Sequence, residues 1–236
     1  MGRVTENSAG LPAVPFLGSL EGRVFDAVAF DMDGTLIDST PAVERSWRAW
    51  AIHYGITAEQ LADSHGKPAQ AIIDQLIPES GRAEARAYVD HLEITDVSDV
   101  VPLPGAVEAL SALTDERRAI ATSCTRPLMN ARIDASRIPV PGVTVTIDDV
   151  DRGKPNPDPF LRAAEWLHCD PTRVLVVEDA VSGLTGARAA GCATLSVVTT
   201  TSLEKIVASG CADGIVHLLD EVRFVQESTG VRIELR

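Results

Sequence analysis

Two aspartates stand one residue apart in the stretch FDMDGTLID, residues 30–38, directly behind an apolar run. Carboxylates this close repel one another and are costly to keep ionised once desolvated. The pair therefore implies a cation or a reaction that makes use of it. Further along, Ser123 and the adjacent Glu178 and Asp179 follow other short apolar segments, and Lys154 lies in the loop after another. Asp31 and Asp179 offer hard oxygen ligands of the kind Mg²⁺ takes, one or two carboxylates completed by water and phosphate oxygens. Lys154 adds a positive charge useful to the acids and to a bound phosphoryl group. The Ser123 hydroxyl and the backbone N–H groups after Asp33, those of Gly34 and Thr35, can hold phosphoryl oxygens. A carboxylate so placed is a nucleophile able to form an aspartyl-phosphate. Its neighbour two positions on can protonate a leaving alcohol and later activate water. Taken singly, each residue has a plainer reading: Asp179 as a helix cap, Ser123 bonded to its own backbone, Lys154 solvated. Their shared position favours the joint reading, because open α/β sheets bind ligands beyond the carboxyl ends of their strands.

The segments that must position these groups are VFDAVAF (residues 24–30), RAIATS (118–123), VTVTI (143–147), RVLVVED (173–179) and ATLSVV (193–198). Short, β-rich and apolar, they read as buried parallel strands. Helical patterns cover residues 104–113, 127–135, 157–167 and 181–190, with Gly191 where a helix stop belongs. The alternation predicts an α/β fold, a Rossmann-like parallel-sheet core with helices on both faces. Residues 222–236 predict a hairpin that turns at 228–230. From residue 41 to about residue 100 there is no strand pattern, only helical ones, continuing over 58–64, 68–76 and 81–94. Thr40 can cap and Pro41 can open the first of these helices. Val43, Trp47, Trp50 and Tyr54 share one face of it, which suits a small core better than a sugar-stacking platform. The expected organisation is a disordered or loosely docked tail of residues 1–22, an α/β core of residues 23–38 and 103–236, and an inserted α-helical cap domain of residues 39–102. Proline-ended linkers at 38–41 and 100–104 bracket the insert.

Composition narrows the partners. The chain has 236 residues, 45% hydrophobic and 23% charged, with a formal net charge of −13. That balance argues against nucleic acid and anionic membranes, which want a basic face, while leaving room for a locally positive pocket. No apolar stretch reaches the roughly 18–20 residues that cross a bilayer, and the first residues do not read as a secretion signal. Cys124, Cys169, Cys192 and Cys211 are widely spaced, which suits reduced thiols in a cytoplasm better than disulfides or zinc. Lysine occurs only at 67, 154 and 205 against abundant arginine, and a retained ammonium does work that guanidinium does not.

From about residue 24 to the C-terminus the chain resembles the haloacid dehalogenase-like phosphatases. Asp31-Met32-Asp33-Gly34-Thr35 matches that family's D-x-D-G-T motif, Ser123 its second motif, Lys154 its third and Glu178-Asp179 its fourth. The resemblance implies Asp31 as nucleophile and Asp33 as general acid/base. It implies Mg²⁺ held by the Asp31 side chain, the Asp33 backbone carbonyl and Asp179 with Glu178 in support, and a helical insert that closes over the substrate. SHGKPAQAI (residues 64–72), ATSCTR and VVEDAVSGLTGARAAGC look most like the phosphatases of glycerol phosphate and 2-deoxyglucose 6-phosphate. The expected substrate is a small phosphorylated polyol or sugar, and the expected state a monomer or weak homodimer. Cys124 departs from the usual glycine or asparagine and Lys67 from the frequent arginine, and both positions adjoin the substrate in the family. His65, Gly66 and Lys67 are expected to reach the substrate or else form a polar turn. Arg126 would touch a phosphate or simply begin a helix, and Cys124 would line the site or pack rather than attack. A sugar phosphomutase shares every core residue and is the rival reading; a dehalogenase or phosphonate hydrolase needs no Asp33, and a catalytically dead scaffold needs none of the set.

Overall fold

The computed structural model of the chain describes residues 11–62 and 69–236. In chain order its elements are β1 (Ala27–Phe30), β2 (Ile37–Asp38), α1 (Thr40–Tyr54), α2 (Ala58–Ala62), α3 (Ala69–Leu76), α4 (Arg82–Thr95), β3 (Val101–Pro102), α5 (Ala106–Ser111), β4 (Arg118–Ala121), α6 (Arg126–Ser136), β5 (Val143–Val145), α7 (Asp158–Trp166), β6 (Val174–Glu178), α8 (Val181–Ala189), β7 (Ala193–Val197), α9 (Leu203–Ser209), β8 (Gly214–Val216), β9 (Val222–Glu227) and β10 (Gly230–Leu235). The main sheet has six parallel strands in the order β5-β4-β1-β6-β7-β8. The chain thus builds outward from β1 to one side, then returns to build on the other. β1 sits at that reversal, the place where an open sheet leaves a crevice beyond its strand ends.

Every residue of β1, AVAF, is buried, as a central parallel strand requires. Alternation sends Val28 and Phe30 to one face, where they join Ile120, Leu175 and Val177. Ala27 and Ala29 go to the other face, with Ala119, Ala121, Val174 and Val176 against Phe160, Ala163 and Ala164 of α7. Small alanines on that second face let α7 lie close to the sheet, and α7 follows directly on the loop that carries Lys154. Packing on both faces leaves the strand tips little freedom, which is what an array of charged side chains at those tips needs.

The expected parallel α/β sheet is present, and two features extend it. β8 with α9 adds a sixth strand that was not expected; at three residues, GIV, it is too short to show a pattern. Of the tail of residues 1–22, expected to be disordered or loosely docked, residues 11–22 are described, and they dock against the sheet. Phe16 exchanges two backbone hydrogen bonds with Ile215, both 2.9 Å, and Leu17 and Leu20 are buried. The segment caps the exposed edge of β8, satisfying backbone groups that would otherwise be open to a foreign strand. The hairpin β9–β10 pairs antiparallel and turns at 228–229. No described helix is long and apolar enough to cross a membrane.

Helices α1 to α4 all fall between β2 and β3. The segments expected as linkers pair with each other: β2 and β3 form a short antiparallel ladder, Ile37 opposite Pro102 and Asp38 opposite Val101. Both crossings into the helical segment are therefore stapled side by side. Arg45 of α1 adds a second tie, its guanidinium donating to Asp96 and Asp99 at 2.7–2.8 Å. The helices have their own core of Trp50, Ile73, Ile77, Ala85 and Val89, with Trp47 and Tyr54 packed on it. Trp50 is fully buried and its indole N–H donates to the Ala85 carbonyl at 2.9 Å. The aromatic stripe is thus core, as its helical spacing suggested. Thr40 does not cap α1. Its N–H is received by Asp38 Oδ1 at 3.1 Å, and Ser39 occupies the cap position with its hydroxyl turned elsewhere.

Candidate active site

Past the end of β1 the Asp31 N–H still donates to the Val177 carbonyl of β6 at 2.9 Å. The sheet ladder therefore fixes the backbone of Asp31 and brings it beside Glu178 and Asp179 at the tip of β6. Oxygens of these three carboxylates all lie within 4.8 Å of one another, and all three residues are buried. The Lys154 ammonium reaches in from the loop before α7, donating to Asp31 and, at 2.8 Å, to Glu178 Oε1. The ammonium lies over the aromatic face of Phe160, 5.2 Å from the ring centroid.

Two glycines make this crowding possible. Gly34 has φ +79°, and a Cβ there would lie 2.4 Å from Asp179 Oδ2. At Gly183, in the first turn of α8, a Cβ would lie 1.6 Å from Glu178 Oε1. The second oxygen of Glu178 accepts the Ala180 N–H at 2.7 Å. Asp179 receives the Thr35 hydroxyl at 3.3 Å on one oxygen and the Thr200 hydroxyl on the other. Every carboxylate is oriented by a neighbour, which is how ligand groups are usually held.

Electrostatics at the cluster are unbalanced. Burial pushes the Asp31 carboxyl well above its ordinary range, the Lys154 ammonium pulls it back, and Glu178, Asp179 and Asp33 push it up again. Burial and the neighbouring Glu178 raise Asp179 to about 7. Burial by itself would lower Lys154, but Asp31 and Glu178 outweigh it and the ammonium holds its proton more tightly than usual. Three carboxylates face one ammonium, a deficit of two positive charges. An all-oxygen donor set with that deficit, converging within a few ångströms, fits a hard divalent cation.

Asp33 belongs to a second, separate group. Its Oδ1 accepts the Ser39 hydroxyl at 2.6 Å and Arg132 Nη1 at 2.8 Å, while its Oδ2 accepts the Cys124 thiol at 3.0 Å. Arg132 Nη1 also lies 3.2 Å from the Cys124 sulfur. Its Nη2 reaches Glu93 of α4 at 3.5 Å. Burial pushes the Glu93 carboxyl up, with Arg132 drawing it partly back. Burial and Asp33 likewise hold Cys124 as a neutral thiol, well above the usual thiol range. A buried neutral thiol is a poor nucleophile.

Both groups open into one cavity of about 360 Å³, whose walls include Asp31, Asp33, Gly34, Ser123, Cys124, Lys154, Glu178 and Asp179. Two expected substrate contacts are not on those walls. Thr35 is buried behind Asp179, so its hydroxyl serves the carboxylate instead. Arg126 begins α6, and its guanidinium is taken up by Thr144 and Asp149 on the far side of the β4 loop. The expected contacts His65, Gly66 and Lys67 lie outside the described residues.

Sequence reasoning missed Ser39, Glu93, Arg132 and Thr200, all of which line the cavity. One signal was present for Arg132. It falls on the apolar stripe of α6, between the buried Leu128, Met129 and Ile133, and an arginine on such a stripe needs a buried acid as partner.

The comparisons agree with this geometry. Residues 25–191 match the haloacid dehalogenase-like hydrolase family. The chain is 36% identical to hexitol phosphatase A of Escherichia coli K12 over 207 residues, 85% of this chain and 94% of that one. It is 34% identical to glycerol-1-phosphate phosphohydrolase 1 of Saccharomyces cerevisiae over 215 residues, 84% of each. In fold it is similar to a haloacid dehalogenase-like hydrolase of family IA, variant 3, from Entamoeba histolytica, with a TM-score of 0.75 at 22% identity, covering 83% of this chain and 94% of that structure. With motif, sheet and site on the same residues, the chain belongs to the haloacid dehalogenase-like hydrolases.

Proposed function

We propose that the chain is a Mg²⁺-dependent phosphatase of small polyol or sugar monophosphates, working through a phospho-Asp31 intermediate. One observation carries the reading: two differently equipped carboxylates, Asp31 and Asp33, open into the same cavity. Asp31 sits among Lys154, Glu178 and Asp179, and Asp33 among hydroxyl, guanidinium and thiol donors. The relatives named above, one a hexitol phosphatase and one a glycerol-1-phosphate phosphohydrolase, support the substrate class.

In this mechanism Asp31, Glu178 and Asp179 would hold the metal ion, together with the Asp33 backbone carbonyl. When bound, Mg²⁺ supplies the positive charge that lets an anionic carboxylate approach an anionic phosphate. Lys154 and Ser123 steady the phosphoryl oxygens beside it. The Asp31 carboxylate attacks phosphorus, an Asp31 O–P bond forms, and the ester P–O bond breaks as Asp33 delivers a proton to the leaving oxygen. Asp33 then takes a proton from water as that water attacks the phospho-aspartate, which frees inorganic phosphate and restores Asp31. Residues 39–102 act as a cap over the α/β core of residues 23–38 and 103–236, excluding bulk water and choosing the leaving group. His65, Gly66 and Lys67 belong to that selecting role. The protein works in the cytoplasm as a monomer or weak homodimer, with no nucleic-acid or membrane partner.

Phosphate release over a panel of glycerol, pentitol, hexitol and hexose phosphates tests the reading. Release is expected with Mg²⁺ and is abolished by EDTA until Mg²⁺ is returned. Conversion of β-glucose 1-phosphate to glucose 6-phosphate without free phosphate would instead identify a mutase, and silence on every monoester would identify an inactive scaffold.

A further inference from the structure

We propose that Glu93 of α4 and Arg132 of α6 form the subsite that reads the hydroxyls of the leaving group. On this view the site takes a monophosphate with a neutral polyhydroxy tail and rejects one that carries a second anionic group. The proposal rests on the phosphatase reading for its orientation, because that reading places the leaving oxygen beside Asp33.

Position comes first. Both side chains line the cavity that holds Asp31. The Arg132 guanidinium spans the distance between Asp33, on Nη1, and Glu93, on Nη2. A tail that extends past the leaving oxygen on the Arg132 side therefore meets Glu93 one guanidinium further on.

Hydrogen-bonding capacity comes second. The Arg132 and Glu93 side chains are only 5% and 11% exposed. An ionised carboxylate accepts roughly four hydrogen bonds, yet among the described residues Glu93 receives a single one, at the long distance of 3.5 Å. The Arg132 Nε–H, also buried, finds no partner among the described residues. A buried acid left with unused acceptor sites is costly. Hydroxyl groups, which donate to the carboxylate and accept from the guanidinium, satisfy both.

Charge comes third. Each cation described on the cavity wall already faces an acid: Lys154 faces Asp31 and Glu178, Arg132 faces Asp33 and Glu93, and Arg86 is gripped by Asp90 at 2.8 and 2.9 Å. Among the described residues none is left over for a second phosphate or carboxylate, and Glu93 repels one. A cavity of about 360 Å³ is at the small end of the ~300–1,000 Å³ usual for ligand sites, which suits a short polyol chain.

A purely structural Glu93–Arg132 contact, docking α4 on α6, makes a different forecast, and binding separates the two. The full-length Asp31→Asn variant, unable to turn over, is titrated calorimetrically in Mg²⁺ with sorbitol 6-phosphate and with 2-phosphoglycolate, then again carrying Glu93→Gln. The single variant is expected to prefer sorbitol 6-phosphate. Adding Glu93→Gln is expected to weaken that ligand about tenfold while strengthening 2-phosphoglycolate, since a lost charged hydrogen bond and a lost repulsion act in opposite directions. No preference in the single variant, or a shift of both ligands in the same direction, overturns the subsite. Should Glu93→Gln fail to fold by circular dichroism, Glu93→Asp decides the matter, because it keeps the charge and withdraws the carboxylate by one methylene. Sorbitol 6-phosphate must then weaken with 2-phosphoglycolate still excluded, and equal weakening overturns the proposal. Because these readouts are binding ratios, they stand or fall separately from phosphate release by the wild type.

Discussion

The two walls of the cavity are built on different principles. On the strand side Asp31, Glu178 and Asp179 project from the tips of β1 and β6, strands buried on both faces and laddered to neighbours on both sides. Each charged group there is held by partners from other segments. On the helical side, Glu93 stands on an amphipathic helix with a core of its own, and its tie to the strand side is one hydrogen bond of 3.5 Å. Chemistry that must be repeated on many substrates belongs on the first wall, and selection among substrates on the second. The division gives a pre-organised catalytic centre beside a wall whose contacts can be changed without disturbing it.

The largest expected effect tests the first wall. Asp31→Asn should lower turnover by at least about 10³-fold on every substrate, since removal of a nucleophile is not rescued by binding, with the fold retained by circular dichroism. Losses confined to some substrates would erase the distinction between the walls. Next in size is the stability of the same cluster. Lys154→Met leaves Asp31 and Glu178 buried without their counter-charge, and stripping one partner from a buried pair costs about 3–5 kcal/mol. Urea denaturation of the metal-free protein should show that loss, whereas Arg45→Ala, at the exposed tie on the helical side, should barely move the midpoint. Equal losses from the two would mean that burial does not separate the two regions energetically.

The same contrast explains what the sequence makes legible. Asp31, Asp33, Ser123, Lys154, Glu178 and Asp179 could be placed together before any coordinates, because apolar runs mark buried strands and residues just after them share one edge of the sheet. The helical wall resists such reading. An amphipathic pattern says which face of α4 packs, but not which core helix meets its far end, so Glu93 and Arg132, 39 positions apart, carry no local sign of their contact. Ser39 was hidden for another reason: Thr40 was read as the cap of α1, whereas Ser39 takes that position and turns its hydroxyl to Asp33. Arg126, just past Ser123, was read either as a phosphate contact or as the start of a helix, and the second holds: it begins α6 and delivers its guanidinium to Thr144 and Asp149. The docked residues 11–22 were missed because a single bridge at Phe16 and two buried leucines leave no periodic trace.

The smallest effect reads the charge deficit of the strand wall directly. Burial raises both Asp31 and Asp179 above the ordinary carboxylate value of 3.8, Asp179 to about 7. A carboxyl whose folded pKa is raised makes the folded state hold more protons than the unfolded one between those values. Stability of the metal-free protein contributed by these groups therefore falls as pH climbs from about 4 to about 7 and stays low above it. Lys154, whose pKa is raised from 10.5, contributes equally throughout that window and cannot mask the trend. A divalent cation must displace those protons to bind, so its stabilisation should be weak at about pH 5 and full at about pH 8. At roughly a hundredfold excess over its dissociation constant at pH 8, Mg²⁺ should raise Tm by about 5–10 °C, and by less than about half as much at pH 5. Differential scanning fluorimetry with and without EDTA measures both increments. If the increment is equal at the two pH values, or larger at pH 5, then the acids at the tips of β1 and β6 are not proton-loaded in the metal-free state, and the strand wall is no more charge-stressed than the helical one.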